Sequence, residues 1–402
     1  MVVGHPFLAA YNQRKYVAMK RLDKTLRLRL VVPTRWRERF EPTDWQVHPE
    51  LGSEEVVPLK PHLAHSHMTY VHAPRSLAAI LRHFQPNVIH IEEEPQSLIT
   101  LETVALRSAF APRAAISLFT WDNILRERPF PLGPTKLLFR RFSLRWTSLV
   151  ICGNRRAADL LRAEGCFQGQ VENLPQYGLE VSEHQPGTEP ELRNELKLQS
   201  GAVVGYIGRL VPEKGLRILL ESLEGLLNYP WQLLLVGSGP LEPEIRQQWM
   251  ARLHGRVILH PAVSYNEVPR YLRCTDIFVL ASQSTPTWEE QFGLSLAQAM
   301  MVGVASIGAR CGAIPDTLVP GGTIVEQHDV EGLRHALETF LTSPAQRERA
   351  VGAGRDYALK NYTIESIAAQ YLDAFEKARS CHSTGHNEVS ESLEMESLRP
   401  RV

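Results

Sequence analysis

Short β-branched runs alternate with amphipathic helical stretches along most of the chain, and the alternation stops once and starts again. This is the pattern of doubly wound parallel sheets, since parallel neighbours are joined only through a crossover long enough to hold a helix. In the first half, strands are expected over 1–6, 28–33, 55–59, 88–92, 115–120 and 149–153. Helices are expected there over 13–22, 70–84, 97–110, 135–146 and 155–164. From 173 to 200 the chain turns polar and rich in Pro, Gly and Glu, which marks a domain boundary. A second series of strands follows at 203–207, 232–236, 257–260, 277–280, 304–307 and 323–325. Its clearest helix, 215–227, lines up Leu216, Leu219, Leu220, Leu223 and Leu227 on one face. Helices over 330–341, 344–360 and 364–377 close the chain. The expected class is α/β, with two Rossmann-like parallel sheets. Open sheets bind ligands at the C-terminal edges of their strands, so two such edges facing across a cleft make the expected site.

At 402 residues the chain is too long for one core. Lys plus Arg and Asp plus Glu are 44 each, so the net charge is zero. That balance lacks the cation excess a general nucleic-acid binder needs, and no nucleic-acid partner is expected. Cys152, Cys166, Cys274, Cys311 and Cys381 are scattered, with no paired spacing, and read as reduced thiols. The start of the chain has neither the cationic opening nor the apolar run of a signal peptide, and no apolar stretch reaches membrane-span length. The cytoplasm is the expected compartment.

Two stretches carry chemistry. Residues 208–215, Gly-Arg-Leu-Val-Pro-Glu-Lys-Gly, follow the first strand of the second series. They put Arg209 and Lys214 beside a helix start, which suits a diphosphate; a solvated loop that binds nothing is the plain alternative. Within 285–303, Glu290 is followed by Gln291, then Phe292 and Gly293, then a good helix former beginning at Leu294. An acid, bare amides and a helix N-terminus thus meet at one point, which suits a ligand with hydroxyls and a diphosphate. Gly237, after the strand 232–236, allows close backbone approach, though such turns end many strands.

These two stretches resemble the signatures of retaining family 4 glycosyltransferases, most specifically between 203 and 312. The resemblance implies a GT-B fold, divided as 1–178 for the acceptor and 179–362 for the donor, with a helix 363–378 crossing back to the first domain; beyond it the Ser, His, Glu and Asn residues have little to bury, and 379–402 is expected to be a disordered tail. It implies that Arg209 and Lys214 hold the donor phosphates and that Glu290 contacts the donor sugar. By the same resemblance, Gly208, Gly237, Phe292, Gly293 and Leu294 lie against the nucleotide. The family's second Glu, which grips the ribose diol, is replaced here by Gln298; an amide offers one accepting oxygen where a carboxylate offers two. The implied reaction transfers a sugar from a nucleotide-sugar donor to a hydroxyl acceptor with retention, in polysaccharide or glycoconjugate synthesis. The implied route is front-face attack, with no metal or other cofactor if the two cations supply the charge.

The acceptor side is less legible. The loop after the first strand has Gly4 but no glycine pair, so side chains such as His5, Tyr11 or Asn12 are expected to meet a carbohydrate or lipid-linked acceptor. Acids at strand ends, Glu93, Glu94 and Asp122, can orient an acceptor hydroxyl or cap the helices that follow. His62, His65, His67 and His72 lack a Cys or HExxH frame, and no metal is assigned to them. Residues 136–146 mix cations with large apolar side chains. They read either as an ordinary helix with its apolar side on the sheet, the favoured case, or as a weak peripheral membrane contact. Two rival functions stay open: a sugar-nucleotide epimerase or hydrolase, and an idle binding scaffold.

Overall fold

The computed structural model describes residues 1–37, 42–124 and 132–397. The chain divides into two compact units, Met1–Tyr177 with Ile367–Val402, and Gly178–Ser366. The first holds a seven-stranded parallel sheet: β1 Val2–Val3, β2 Leu30–Pro33, β3 Val56–Leu59, β4 Val88–Ile91, β5 Ala115–Thr120, β6 Leu149–Cys152 and β7 Gln170–Asn173, in the order β3-β2-β1-β4-β5-β6-β7. The order reverses between β1 and β4, so the chain leaves a crevice at their C-terminal ends.

All six residues of β5 are buried, the continuous apolar run expected of a strand covered on both faces. The first expected strand proves much shorter, because Pro6 cannot donate to a ladder and His5–Leu8 turns into a 3-10 helix. The edge strand β7 was not anticipated: its sequence, Gln-Val-Glu-Asn, shows little of the apolar pattern.

A buried ion pair braces this unit. Lys15 Nζ lies 2.5 Å from Glu92 Oε1, and Tyr16 Oη and Gln176 Nε2 donate to the same carboxylate at 2.5 and 2.8 Å. Burial alone would raise the Glu92 pKa, but Lys15 and His90 outweigh it and hold it at about 2.

The second unit carries β8 Ala202–Ile207, β9 Trp231–Val236, β10 Val257–His260, β11 Ile277–Leu280, β12 Ala305–Ala309 and β13 Thr323–Val325, in the order β10-β9-β8-β11-β12-β13. Its switch point lies between β8 and β11. Helix Leu216–Glu224 buries Leu216, Leu219, Leu220 and Leu223 in the core that β8, β9 and β11 share, at about 1.5–3 kcal/mol for each leucine.

Two expectations need correction. The closing helix runs Ile364–Ser397 instead of stopping at 378, so the expected disordered tail is helical from 379 to 397; residues 398–402 lie outside the described residues. Helix Leu132–Arg145 buries only part of its apolar side: Leu144 lies in the core, and Arg141 and Arg145 are solvated as expected. Leu137, Leu138 and Phe142 are exposed, as is Trp146 just beyond it, while Arg140 is buried.

Candidate functional site

The exits of β8 and β11, the two strands at the switch point of the second unit, converge on one pair of charges. Gly208 and Arg209 follow β8, and the chain turns through Pro212–Lys214 into helix Leu216–Glu224. That turn needs Gly215: its φ is +70°, and a Cβ there would lie 1.7 Å from the carbonyl oxygen of Ala281, just after β11. The two loops touch backbone to backbone, and Gln283 N donates to Glu213 O at 2.8 Å. Lys214 Nζ is thereby carried to within 2.6 Å of Glu290 Oε2, which also accepts from Ser282 Oγ at 2.9 Å. Both side chains are largely buried, and the ammonium lies 4.9 Å from the Trp288 ring centroid. Low exposure makes this pairing stronger than a surface ion pair.

Arg209 sits on the same loop, half exposed, with its guanidinium 3.8 Å from Glu213. Its backbone is fixed by Tyr206 Oη, which donates to Arg209 O at 2.6 Å. Gly237 ends β9 against this loop; a Cβ there would come within 1.9 Å of Gly208 O. Gly293 is the left-handed residue that opens helix Leu294–Val302. The first amides of a helix have no intrahelical acceptor and suit an anion. The Phe292 ring packs edge-on against Tyr362 at 5.4 Å, and Phe292 O accepts from Thr317 Oγ1, so what this residue can offer a ligand is its backbone N–H.

Gln298 is buried one turn further along and already has a partner. His184 Nδ1 lies 2.8 Å from Glu180 O and must donate to it, which leaves Nε2 to accept from Gln298 Nε2 at 3.3 Å. Burial lowers the His184 pKa and favours the neutral ring that this arrangement requires. His184 was not anticipated, and nothing local in its sequence marks it.

In the first unit, His5 stands at the end of β1 with Nδ1 2.6 Å from Glu93 Oε1. The same oxygen accepts from the His5 amide and from Tyr70 Oη, each at 2.8 Å. Trp36 and His67 pack on the His5 ring at 4.8 and 6.0 Å between centroids; Trp36, in a polar stretch, gave no sign of this role. His67 thus joins the His5 group, whereas His72 is buried against Tyr70, where desolvation lowers its pKa to about 4.

Glu94 and Asp122 lie at the ends of β4 and β5. Glu94 accepts from Thr120 Oγ1 at 2.5 Å and Trp121 N at 3.0 Å; desolvation, then the Asp122 charge, push its pKa up to about 8. Asp122 accepts from Gln96 Nε2 at 2.9 Å, with Arg140 3.9 Å away. Among the described residues, no three His, Cys, Asp or Glu side chains gather in a way that could hold a metal ion.

The sequence profile of the family described as glycosyl transferases group 1 matches residues 188–357. Spore coat protein SA of Bacillus subtilis is 27% identical over 201 residues, covering 47% of this chain and 52% of that protein. The GDP-mannose-dependent alpha-(1-6)-phosphatidylinositol monomannoside mannosyltransferase of Mycolicibacterium smegmatis is 29% identical over 215 residues, covering 50% and 55%. The chain therefore spans about half the length of the curated relatives it matches. Among solved structures, Anabaena HepE in complex with UDP superposes with a TM-score of 0.67 at 17% identity, covering 93% of this chain and 98% of that one. That likeness shows the fold, which is GT-B.

Proposed function

We propose that the chain is a member of the glycosyl transferases group 1 family, whose profile matches residues 188–357, and that it moves a sugar from a nucleotide-sugar donor to a hydroxyl acceptor with retention of configuration, in polysaccharide or glycoconjugate synthesis. The carrying observation is the Lys214–Glu290 pair at 2.6 Å, where the β8 and β11 loops meet.

In this reading the arriving donor splits the pair. Its diphosphate takes up Lys214 and Arg209, and its sugar hydroxyls donate to Glu290. Amides at Gly293 and Leu294 complete the anion site at the helix start. As the glycosidic bond breaks, charge grows on the departing diphosphate, and fixed cations are worth most there. The same diphosphate takes the acceptor proton from the face on which the acceptor attacks, which accounts for retention without a protein nucleophile. Arg209 and Lys214 supply the charge a metal would otherwise bring, so the reaction is proposed to need none. Among the described residues no cysteine is in a disulfide, and we assign the reaction to the reducing cytoplasm.

On the acceptor side, His5 is the assigned contact to the hydroxyl, with Glu93 fixing its ring. Glu94 and Asp122 are assigned to orient the acceptor from the ends of β4 and β5.

The test is calorimetric titration with UDP, GDP and ADP, followed by product analysis with the matching nucleotide sugar, with and without acceptor glycosides. Lys214→Ala should lower turnover by about a hundredfold to a thousandfold. Wild-type turnover in that variant sinks the phosphate assignment, and rapid donor consumption without acceptor favours a hydrolase.

A further inference from the structure

Helix Leu132–Arg145 turns Leu137, Leu138 and Phe142 outward. Leu138, Phe142 and Trp146 recur every four residues and form one ridge, 65%, 39% and 45% exposed. The neighbouring ridge begins with Leu137 and continues with Arg141 and Arg145, both exposed. The helix sequence contains Lys136, Arg140, Arg141 and Arg145 and no acid. Arg140 is spent inward on Glu164 at 2.8 Å, and Leu144 and Ser143 fill the buried side. In a chain of zero net charge, this surface therefore combines an apolar ridge with a parallel cationic one.

The two ridges together select the partner. A nucleic acid would neutralise the arginines but offer nothing to the apolar ridge. A protein interface rarely leaves a charge row along its apolar centre. A bilayer with anionic headgroups satisfies both: apolar side chains enter the acyl boundary, arginines stay at the phosphates, and a terminal Trp suits the interfacial zone. A cavity of about 410 Å³, lined by Gln96, Asp122, Lys136, Leu137, Arg140 and Glu164, opens on the same helix, which supplies Lys136, Leu137 and Arg140.

We propose that helix Leu132–Arg145 docks the chain on an anionic lipid bilayer, with Leu138, Phe142 and Trp146 inserted and Arg141 and Arg145 at the headgroups. This goes beyond glycosyl transfer and does not depend on it.

The experiment is co-sedimentation of the full chain with phosphatidylcholine vesicles, with and without phosphatidylglycerol. The chain should pellet with the anionic vesicles and far less with the zwitterionic ones. Arg141→Gln with Arg145→Gln should lower the partition coefficient about twenty-fivefold, at about fivefold per cation. Leu138→Glu with Phe142→Glu should abolish pelleting. All four side chains are exposed, so circular dichroism and melting should match the parent. A chain that stays in the supernatant at every lipid composition overturns the proposal. So does pelleting that neither double variant changes, or a vesicle-independent dimer that Leu138→Glu with Phe142→Glu splits.

Discussion

Lys214 and Glu290 have two roles that their single variants would confuse. As an ion pair with little exposure, they hold the loops after β8 and β11 together; as site residues, they are assigned to opposite ends of the donor. Removing one partner of a buried pair strands the other charge, at a cost of up to about 3 kcal/mol, whereas removing both avoids that penalty. We therefore expect Lys214→Ala and Glu290→Ala each to lower the urea midpoint and the double variant to recover most of the loss. Turnover should stay lost in all three. Recovery of turnover in the double variant would mean the pair serves the loops alone. These residues were legible in the sequence because each stands at a fixed step from a strand end, a glycine and a helix start, all local features. Ser282, which donates to Glu290, and Trp288, beside Lys214, were not: their roles exist only once Lys214 and Glu290, 76 residues apart in the chain, are brought together.

At the scale of an element, helix Leu294–Val302 carries a substitution whose meaning depends on the segment packed against it. Read as a departure from a motif, Gln298 is a weakened ribose contact. Read beside His184, it is the donor that a neutral imidazole with Nδ1 committed to Glu180 O requires. Gln298→Glu would set a carboxylate against a lone pair unless His184 takes a proton. The wild-type His184 pKa is depressed by burial, so parent stability falls as pH drops below the unfolded value near 6.5. In the variant the folded pKa is raised, so its extra stability is present at low pH and lost as pH rises through that value. Relative to the parent, Gln298→Glu should therefore cost about 1–3 kcal/mol at alkaline pH, and the two should converge on acidification. Urea midpoints across the pH range, with a histidine NMR titration, check this; parallel curves would break the pairing. Periodicity announced the helix, but the polar segment supplying His184 looked like linker, so its partner was unreadable.

For the molecule as a whole, the two ends of the chain complete one unit. From Ile367 onward the closing helix belongs with the first unit, where Ile367, Ala368, Tyr371, Ala374 and Ala378 are all 1% exposed or less. Tyr371 lies under Lys15 Nζ, 3.7 Å from its ring centroid, and meets His90 edge-on at 5.6 Å. Burying such side chains is worth of order 5–10 kcal/mol, comparable with the whole stability of a domain. Amphipathicity shows that this helix must cover something but carries no address, so the sheet it covers cannot be read from its pattern. The second unit has its own sheet and core, and it holds Arg209, Lys214, Glu290 and the start of helix Leu294–Val302. A chain ending at Ser366 should therefore lose slow hydrogen exchange across β1, β4 and β5 while keeping it across β8, β9 and β11. It should still bind the nucleoside diphosphate that the full chain binds, yet transfer no sugar. Because a ligand stabilises only what binds it, by about 2.7 kcal/mol at a hundred times Kd, saturating nucleotide should slow exchange in the second unit alone. Nucleotide protection that vanishes with the closing helix would show that the site needs both units, and the donor assignment to Arg209, Lys214 and Glu290 would then be incomplete.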